Sequence, residues 1–398
     1  MKNNFVDKED LKLRVKRILP GIIELRHEFH KFPETRLEEF ETAKRIRERI
    51  KKTKIELLPP LIGTDTVGVL YGRDSGINVT LRADMDALPI VEQSGAAWQS
   101  QRPGFAHSCG HDGHMAILVG VLEVLNDLAD KFRGSMRFVF QPSEEQLGGG
   151  KIMIEKGLLD SDPKPSAVFA LHGWPGIPLG AIATRAGAMM AAADSFTITI
   201  KGKGGHGAAP HLAVDTIVAG AQVINGLQTI VSRTVKPVEP AVVSVCAIHG
   251  GSTSNVIPER VVMEGTTRYF DPKIKGIIRA RMEGVLKGVC ESAGATYQLD
   301  YREGYIPLVN DPQRVDFART VVESYLGRNA WAGEIAPTMG SEDFSFYLKK
   351  APGVFLRLGL GEDSPNLHSP LFDFNNDRAL EGGILVLAAL ALETLQRG

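Results

Sequence analysis

Apolar residues in the first part of the chain alternate between helical spacing and short continuous runs. The predicted elements are a helix with apolar positions from Leu11 to Phe29, a helix over about 36–52 after the break at Pro33, strands at 67–71, 78–81, 136–140 and 167–171, and a long helix over about 114–130. Polar residues follow several of these strands directly. Strands that alternate with helices in this way indicate an α/β sheet whose functional site lies beyond the strand ends.

The middle of the chain shows a different pattern. Phe196, Ile198 and Ile200 alternate with polar residues, which predicts a half-buried strand. A helix over about 214–232, strands near 241–248 and 260–270, a helix over 273–293 and a strand at 296–301 follow. This β-α-β-β-α-β order is typical of a ferredoxin-like unit. We therefore predict an α/β domain of residues 1–187 and 305–398, with a smaller domain, 188–304, inserted into it.

Composition and charge narrow the class of protein. Of 398 residues, 43% are hydrophobic and 23% are charged, and 46 Lys and Arg against 47 Asp and Glu give a formal net charge of -1. This balance argues against a nucleic-acid partner bound through its phosphates and against a polybasic membrane anchor. The longest apolar run, 384–392, is about half of the ~20 residues that a membrane span needs.

The N-terminus and the cysteines indicate the compartment. The first residues contain no apolar stretch of the kind found in signal peptides. The three cysteines, Cys109, Cys246 and Cys290, are too few and too scattered for a disulfide framework. We therefore expect a reduced, cytoplasmic protein with no membrane segment.

The densest cluster of metal-binding side chains is HSCGHDGH, residues 107–114. It offers the N, S and O donors that zinc, manganese, cobalt or nickel accept. Gly110, between Cys109 and His111, allows a sharp turn. The segment also opens a predicted helix, whose dipole would help to hold Cys109 as a thiolate. The alternative is a polar helix start whose histidines cap the helix or face solvent.

Two adjacent carboxylates, Glu144 and Glu145, follow a predicted strand. Such a pair repels itself unless a cation lies between the two groups or solvent screens them. One glutamate could bind a metal while the other transfers protons, although the pair alone is more typical of an exposed acidic loop. The glycines at 148–150 lack the Gly-Lys-Ser/Thr ending of a phosphate-binding loop.

Further donors lie at other predicted strand ends and near the C-terminus. Asp84 and Asp86 could be metal ligands, partners of a ligating histidine, or parts of a turn. His172 follows a buried strand and His368 lies in the C-terminal segment, and each alone is more typical of a structural histidine. With the donors of HSCGHDGH and the glutamates, however, a ligand from the C-terminal segment would complete a set for two metals.

Several stretches together resemble the two-metal amidohydrolases related to carboxypeptidase and aminoacylase. The likeness is greatest to the cysteine-bearing subgroup of hippurate hydrolase, indole-acetyl-amino acid hydrolases and N-acetyldiaminopimelate deacetylases. The stretches, which occur in the family's order and cover most of the chain, are LRADMDALP, HSCGHDGH, QPSEE, LHGWP, GKGGHGAAPH, SNVIPE, GTTR, GSEDFS and NLHSP. The resemblance implies a mixed-sheet metallohydrolase catalytic domain with an inserted ferredoxin-like α+β domain.

The resemblance also implies roles for individual residues. It implies two divalent metal ions per subunit (Zn, Mn, Co or Ni), held by Cys109, His111, Glu145, His172 and His368. Glu144 would be the general base, and Asp86 would orient a ligating histidine. The wider family carries a histidine where this chain has Asp84, so a thiolate enters the ligand set here and the wider family's metal preference does not carry over.

The expected reaction is hydrolysis of the amide bond of a small N-acyl amino acid, which releases a carboxylic acid and a free amino acid. The nearest alternative is a metallo-dipeptidase, carboxypeptidase or aminopeptidase with the same centre. An aminopeptidase would need a carboxylate for a free α-amino group. The alternative from another class is a non-catalytic binding protein, against which the presence of Glu144 and Cys109 argues.

The inserted domain is expected to form a homodimer and to complete the site. Exposed edge strands invite pairing across a two-fold axis, and the resemblance supports a dimer. His206, on a glycine-rich turn, is expected to donate to the developing oxyanion, in its own chain or in the partner's site. Arg268, at a strand end and opposite Asn255, is expected to bind the substrate carboxylate. The alternative is that His206 caps a turn and Arg268 forms a surface ion pair.

Overall fold

The computed structural model describes residues 6–374 and 377–397. The chain divides into two compact units. The first unit runs to Met189 and also contains Val309–Ala336 and the chain from Asp343 onward, and the second consists of Met190–Leu308 and Pro337–Glu342.

The secondary structure is numbered along the whole chain. The helices are α1 (Lys8–Lys31), α2 (Phe40–Ile50), α3 (His111–Asn126), α4 (Gly149–Glu155), α5 (Thr216–Arg233), α6 (Pro272–Ala293), α7 (Pro312–Tyr325), α8 (Ser345–Leu348) and α9 (Asp377–Arg397). The strands are β1 (Glu56–Leu57), β2 (Thr66–Tyr71), β3 (Asn78–Asp84), β4 (Ser135–Gln141), β5 (Pro165–Trp174), β6 (Ile182–Thr184), β7 (Gly187–Met190), β8 (Ala192–Lys201), β9 (Gly205–His206), β10 (Ala241–Gly250), β11 (Val256–Ile257), β12 (Arg260–Tyr269), β13 (Thr296–Tyr305), β14 (Leu308–Asn310), β15 (Trp331–Glu334) and β16 (Gly353–Gly359).

The first unit is built on an eight-stranded sheet in the order β1-β2-β4-β3-β5-β16-β6-β15. The four central strands, from β4 to β16, run parallel, whereas β2 and β6 pair antiparallel with β4 and β16. Every residue of β3, β4 and β16 is buried, as expected for parallel strands covered on both faces. The mixed α/β sheet confirms the predicted fold class.

Helices α1, α3 and α9 pack against one another in the core of the first unit. Helix α9 is long and apolar enough to cross a membrane by length and composition, but 83% of its most apolar window is buried inside the described protein. This burial is what a core helix requires. Helix α3 begins at His111, three residues before its predicted start, because Gly110 caps it with a φ of 86°, a conformation that favours glycine.

The second unit contains a four-stranded antiparallel sheet in the order β10-β12-β8-β13. Helices α5 and α6 supply the apolar residues that pack against one face of this sheet. The element order is the predicted β-α-β-β-α-β, so the ferredoxin-like fold is confirmed. The short strands β9 and β11 form a separate two-stranded ribbon.

The segment Pro337–Glu342 groups with the second unit, although the sequence analysis assigned it to the first domain. The backbone N–H of Ala191 donates to the carbonyl oxygens of Thr338 and Gly340, at 3.1 and 2.8 Å. These hydrogen bonds attach the segment to the beginning of the second unit. Residues so distant in sequence carry no local pattern that would predict the contact.

Candidate metal centre

The carboxyl ends of β3, β4 and β5 meet at one edge of the sheet because these neighbouring strands run parallel. Asp86 follows β3, the Glu144–Glu145 pair follows β4, and His172 lies near the end of β5. Helix α3 begins at the same edge, which brings Cys109 and His111 to the site. The fold therefore collects residues that are far apart in the sequence.

Three overlapping groups of donor atoms form at this edge, and within each the atoms lie within 4.8 Å of one another. The groups are Cys109, Glu145 and His368; His111, Glu144 and Glu145; and Asp84, His111, His114 and His172. All five predicted ligands belong to these groups. Because His111 and Glu145 each occur in two groups, the donors define neighbouring positions for a metal ion rather than a single position.

His368 reaches the cluster from the C-terminal segment. Its Nε2 lies 3.1 Å from Oε1 of Glu145, and its backbone N–H donates to the carbonyl of Ser108 at 2.8 Å. His368 itself has a φ of 64°, in the left-handed region that side chains other than glycine seldom adopt. Such strained residues cluster at functional sites, and here the conformation delivers an imidazole to the turn that carries Cys109.

Asp86 holds both glutamates through their backbone. Its Oδ1 accepts from the N–H of Glu144 at 2.9 Å, and its Oδ2 accepts from the N–H of Glu145 at 3.0 Å. The same Oδ1 lies 3.3 Å from Nδ1 of His111. The sequence analysis predicted a carboxylate that orients a histidine, and the contact with His111 is compatible with that role. The hydrogen bonds from Asp86 to the backbone of the two glutamates are not predicted by any pattern in the sequence.

Charge in the cluster is strongly unbalanced in favour of carboxylates. Burial lowers the pKa of His111, but the carboxylates of Asp84, Asp86 and Glu145 outweigh it and raise that pKa to about 10. Burial and the neighbouring glutamates raise the pKa of the Cys109 thiol well above its usual range. Burial and the surrounding negative charge therefore oppose the thiolate form of Cys109 that the dipole of α3 was expected to favour.

The donor set fits a pair of divalent cations. Nε2 of His111 has no hydrogen-bond partner among the described residues, although the side chain is fully buried. The nearest carboxylate oxygens to this Nε2, those of Asp84 and Glu145, lie 3.8 and 4.0 Å away. Buried polar atoms are normally satisfied, so an unsatisfied imidazole nitrogen among carboxylates indicates that another group completes the site. A metal cation would accept the His111 lone pair and favour the thiolate form of Cys109.

The second unit brings two of its three predicted residues together. His206 pairs with Val256 in the β9–β11 ribbon, and the carbonyl of Asn255 accepts from the N–H of Gly207 at 2.8 Å. Nδ1 of His206 accepts from the N–H of Ala208 at 3.0 Å. His206 thus makes the turn contact of the alternative interpretation, while its Nε2 carries the proton of a neutral ring.

Arg268 does not lie opposite Asn255 within one chain, contrary to the sequence-based expectation. It pairs with Val242 and Ala193 near the end of β12, whereas Asn255 precedes the start of that strand. Arg268 lies eight positions after Arg260, which corresponds to about 26 Å along the strand at about 3.3 Å per residue. The Arg268 guanidinium donates to Thr266 Oγ1 and to the Thr267 carbonyl. It forms no ion pair with another described residue.

Comparison with known proteins identifies the family. The chain matches the model of peptidase family M20/M25/M40 over residues 80–393 and belongs to this family. It is 40% identical over 357 residues to an N-acyl-L-amino acid amidohydrolase of Geobacillus stearothermophilus, covering 88% of this chain and 94% of the relative. It is 37% identical over 394 residues to thermostable carboxypeptidase 2 of Saccharolobus solfataricus, covering 97% and 98% of the two chains.

A solved structure supports the same conclusion. The crystal structure of the Bacillus subtilis YXEP protein, described as a dinuclear metal binding peptidase of the M20 family, is 32% identical and has a TM-score of 0.83. The match covers 96% of this chain and 99% of that one. Together with the donor cluster, this neighbour supports metal binding at the edge of the sheet.

Proposed function

We propose that this protein is a metal-dependent amidohydrolase that cleaves N-acyl amino acids into a carboxylic acid and a free amino acid. The observation that carries the proposal is the position of Glu144, whose carboxylate belongs to the same donor group as His111 and Glu145. A base beside converging metal donors is an arrangement that can activate water for the hydrolysis of an unactivated amide. The similarity to an N-acyl-L-amino acid amidohydrolase supports this substrate class.

Two divalent ions are proposed for the centre, with Cys109, His111, Glu145, His172 and His368 as their ligands. Such ions lower the pKa of bound water and polarise the acyl carbonyl. Zinc, manganese, cobalt and nickel are the candidates, since all of them accept the imidazole, carboxylate and thiolate donors present. Burial lowers the pKa of His172 well below its usual value, so this ring is neutral and has a lone pair to offer.

Glu144 is proposed to move the proton. Its carboxylate takes a proton from the attacking water as the oxygen adds to the acyl carbon. It then gives that proton to the amide nitrogen as the carbon–nitrogen bond breaks, so the amine leaves neutral and Glu144 returns to its starting form. His206 is proposed to donate its Nε2 proton in a hydrogen bond to the developing oxyanion, and Arg268 to bind the substrate carboxylate.

A homodimer through the inserted domain is part of the proposal. His206 and Asn255 lie near one end of β12 and Arg268 near the other. A substrate the length of a dipeptide spans only about 7 Å, so it cannot contact both ends of one strand. In a dimer, one chain could supply Arg268 to a site and the partner chain could supply the oxyanion donor His206 to the same site.

The deciding experiment combines metal removal with a substrate panel. Chelation is expected to abolish activity, and each of the four metals is then restored to the stripped protein. The release of free amine is measured for hippurate, N-acetyl amino acids, indole-acetyl-amino acids and dipeptides. Full activity in protein shown to be metal-free by elemental analysis would contradict the proposed mechanism.

The second candidate is a carboxypeptidase or dipeptidase with the same centre, which the similarity to thermostable carboxypeptidase 2 favours. The same panel separates the two functions. Faster release of amine from N-acyl amino acids than from peptides supports the amidohydrolase, and the opposite order supports the peptidase. For location, we propose the cytoplasm, because Cys109, Cys246 and Cys290 are all free thiols.

A further inference from the structure

The imidazoles of the cluster use their nitrogens differently. Nδ1 of His172 lies 2.7 Å from the carbonyl of Gly173, to which it can donate, and its Nε2 points to the thiol of Cys109 at 3.4 Å. In His114 both nitrogens are engaged. Nδ1 lies 2.6 Å from Oδ1 of Asp84, and Nε2 lies 2.7 Å from the backbone nitrogen of Gly173.

These contacts determine where His114 carries its proton. The backbone N–H of Gly173 can only donate, so Nε2 of His114 must accept. A neutral ring that accepts at Nε2 carries its proton on Nδ1 and donates it to the carboxylate of Asp84. Neither nitrogen of His114 is left to bind a metal, although the ring lies within the donor cluster.

Asp84 is itself held in place by a buried network. Nη1 of Arg82 donates to Oδ2 of Asp84 at 2.6 Å, so both carboxylate oxygens are engaged. Arg82 also donates to Gln141 at 3.0 Å and to Asp343 at 2.7 Å. The side chains of Arg82, Asp84 and Asp343 are fully buried. This network braces the acceptor to which His114 is bound.

Gly173 connects His114 to the proposed ligand His172. Its N–H is bound by His114 and its carbonyl by the His172 ring, so both of its backbone polar groups are engaged. A Cβ at this position would lie 2.5 Å from the ring of Phe374, so any larger residue would force a shift. The Gly173 backbone is therefore held through both of its polar groups, and the His172 ring is hydrogen-bonded to it.

We propose that His114 is a positioning residue and not a metal ligand: braced by Asp84, it holds the Gly173 backbone and so aims Nε2 of His172 at Cys109. The role rests on the metal centre proposed above and extends it. Asp84, which stands where the wider family has a histidine, here supports a neighbouring imidazole. Partners that orient a metal-binding histidine typically change metal affinity about 10–100-fold when they are replaced.

The first test uses the wild-type protein loaded with an NMR-active cadmium isotope and carrying isotope-labelled histidine rings. Ring nitrogens of His111 and His172 are expected to couple to cadmium, whereas His114 is expected to show a proton bonded to Nδ1 and no coupling. Coupling of His114 to cadmium would overturn the proposal. Failure of the wild-type protein to bind any of the candidate metals would instead overturn the metal centre itself.

The second test compares variants by cobalt titration and by the thiolate-to-cobalt absorption band. His114→Phe is expected to bind as many ions as the wild type at saturation, with affinity lower by about 10–100-fold and an altered band. His114→Gln retains an oxygen that can accept from the Gly173 N–H, so it should recover part of the affinity. His172→Ala, in contrast, should lose an ion.

Two results of this titration would overturn the positioning role. One is wild-type affinity together with an unchanged band in His114→Phe, and the other is the loss of an ion from His114→Phe as from His172→Ala. Circular dichroism and melting of the metal-free proteins establish that each variant is folded. If His114→Phe does not fold, His114→Gln and the wild-type cadmium spectrum decide the question.

Discussion

At the scale of single residues, the adjacent glutamates have different surroundings. Both backbone N–H groups are bound to Asp86, but Glu145 also contacts His368 and shares a donor group with Cys109. Glu144 lies in a group with His111 and Glu145, and no donor group among the described residues joins it to Cys109, His172 or His368. This difference supports one glutamate as a ligand and the other as a base.

Replacing each glutamate by glutamine should therefore have a different effect on kcat and on metal binding. Glu144→Gln is expected to keep metal and substrate binding while kcat falls by about 10²–10⁴, the usual contribution of a general base. Glu145→Gln is expected to lower metal occupancy, which elemental analysis measures. A Glu144→Gln enzyme within about threefold of the wild-type kcat would contradict the base assignment. Equal metal loss in both variants would contradict the division of roles.

Arg268 should affect binding more than turnover. Because a guanidinium pairs with a carboxylate through two parallel N–H groups, Arg268→Ala is expected chiefly to raise KM. The preference for a substrate with a free carboxylate over its amide should disappear with it. Arg268→Lys, which keeps the charge but not the paired geometry, is the matched control. Its KM should lie between those of the wild type and of Arg268→Ala. An unchanged preference in Arg268→Ala would remove Arg268 from the binding site.

His30 should make stability depend on pH. Its Nδ1 lies 2.8 Å from Asp112 and its Nε2 lies 3.1 Å from Glu92. Burial lowers the pKa of His30, but these carboxylates outweigh it and raise the pKa to about 9. A raised histidine pKa stabilises the folded state fully below the unfolded value of about 6.5, and that contribution is lost as the pH rises through about 9.

The measurement is the free energy of unfolding of the metal-free protein at pH 6 and pH 9.5. The stability lost in His30→Gln should be greater at pH 6 than at pH 9.5 by about 3 kcal/mol, from 1.36 kcal/mol per pKa unit. His249→Gln, at an exposed histidine, is the control for the substitution itself. An equal loss at both pH values would show that His30 is not charged in the folded protein.

At the scale of secondary-structure elements, the start of α3 is specified by packing as well as by local preference. Gly110 supplies the left-handed cap, and Gly113 lies in the first turn against Phe374. A Cβ at Gly113 would lie 2.5 Å from that ring, whereas one at Gly284 on α6 would meet nothing within 4 Å. A side chain at position 113 would therefore clash with the core, whereas position 284 has room for one.

Replacing each of these glycines by alanine should change stability in opposite directions. Gly284→Ala is expected to stabilise the protein by about 0.5–1 kcal/mol, because alanine loses less backbone entropy in a helix. Gly113→Ala is expected to destabilise it by about 1–3 kcal/mol, because the added methyl group overpacks the core. Thermal unfolding of the two variants measures the difference. Stabilisation by Gly113→Ala would mean that Phe374 moves aside without cost.

At the scale of the whole molecule, the question is whether each site needs two chains. If His206 acts in the partner's site, a mixed dimer of His206→Ala and Glu144→Gln subunits contains one site with both residues intact. Random mixing should then restore about a quarter of wild-type activity, since half of the dimers are mixed and each has one intact site. The activity is measured after mixing, with dimer exchange verified by mass spectrometry. No recovery in verified mixed dimers would confine each site to one chain.

Much of the architecture could be predicted from local patterns. The mixed α/β fold, the ferredoxin-like element order and the clustering of donors at strand ends follow from periodicity and from residue types at element boundaries. The grouping of Pro337–Glu342 with the second unit differs from the sequence-based boundaries because it depends on hydrogen bonds to Ala191, far away in the sequence. The expected neighbourhood of Arg268 and Asn255 failed because strand register, not residue type, separates them.

The sequence by itself determined the family, the fold class and the set of side chains from which the site is built. The family follows from the resemblance of the motifs, whereas the fold class and the donor set depend on periodicity and on residue types, both of which are local. Only the tertiary structure decided which groups the two nitrogens of His114 contact, since residue types and spacing in HSCGHDGH do not indicate its partners. The partners of His114, Asp84 and Gly173, lie 30 and 59 positions away, and only folding brings them to its two nitrogens.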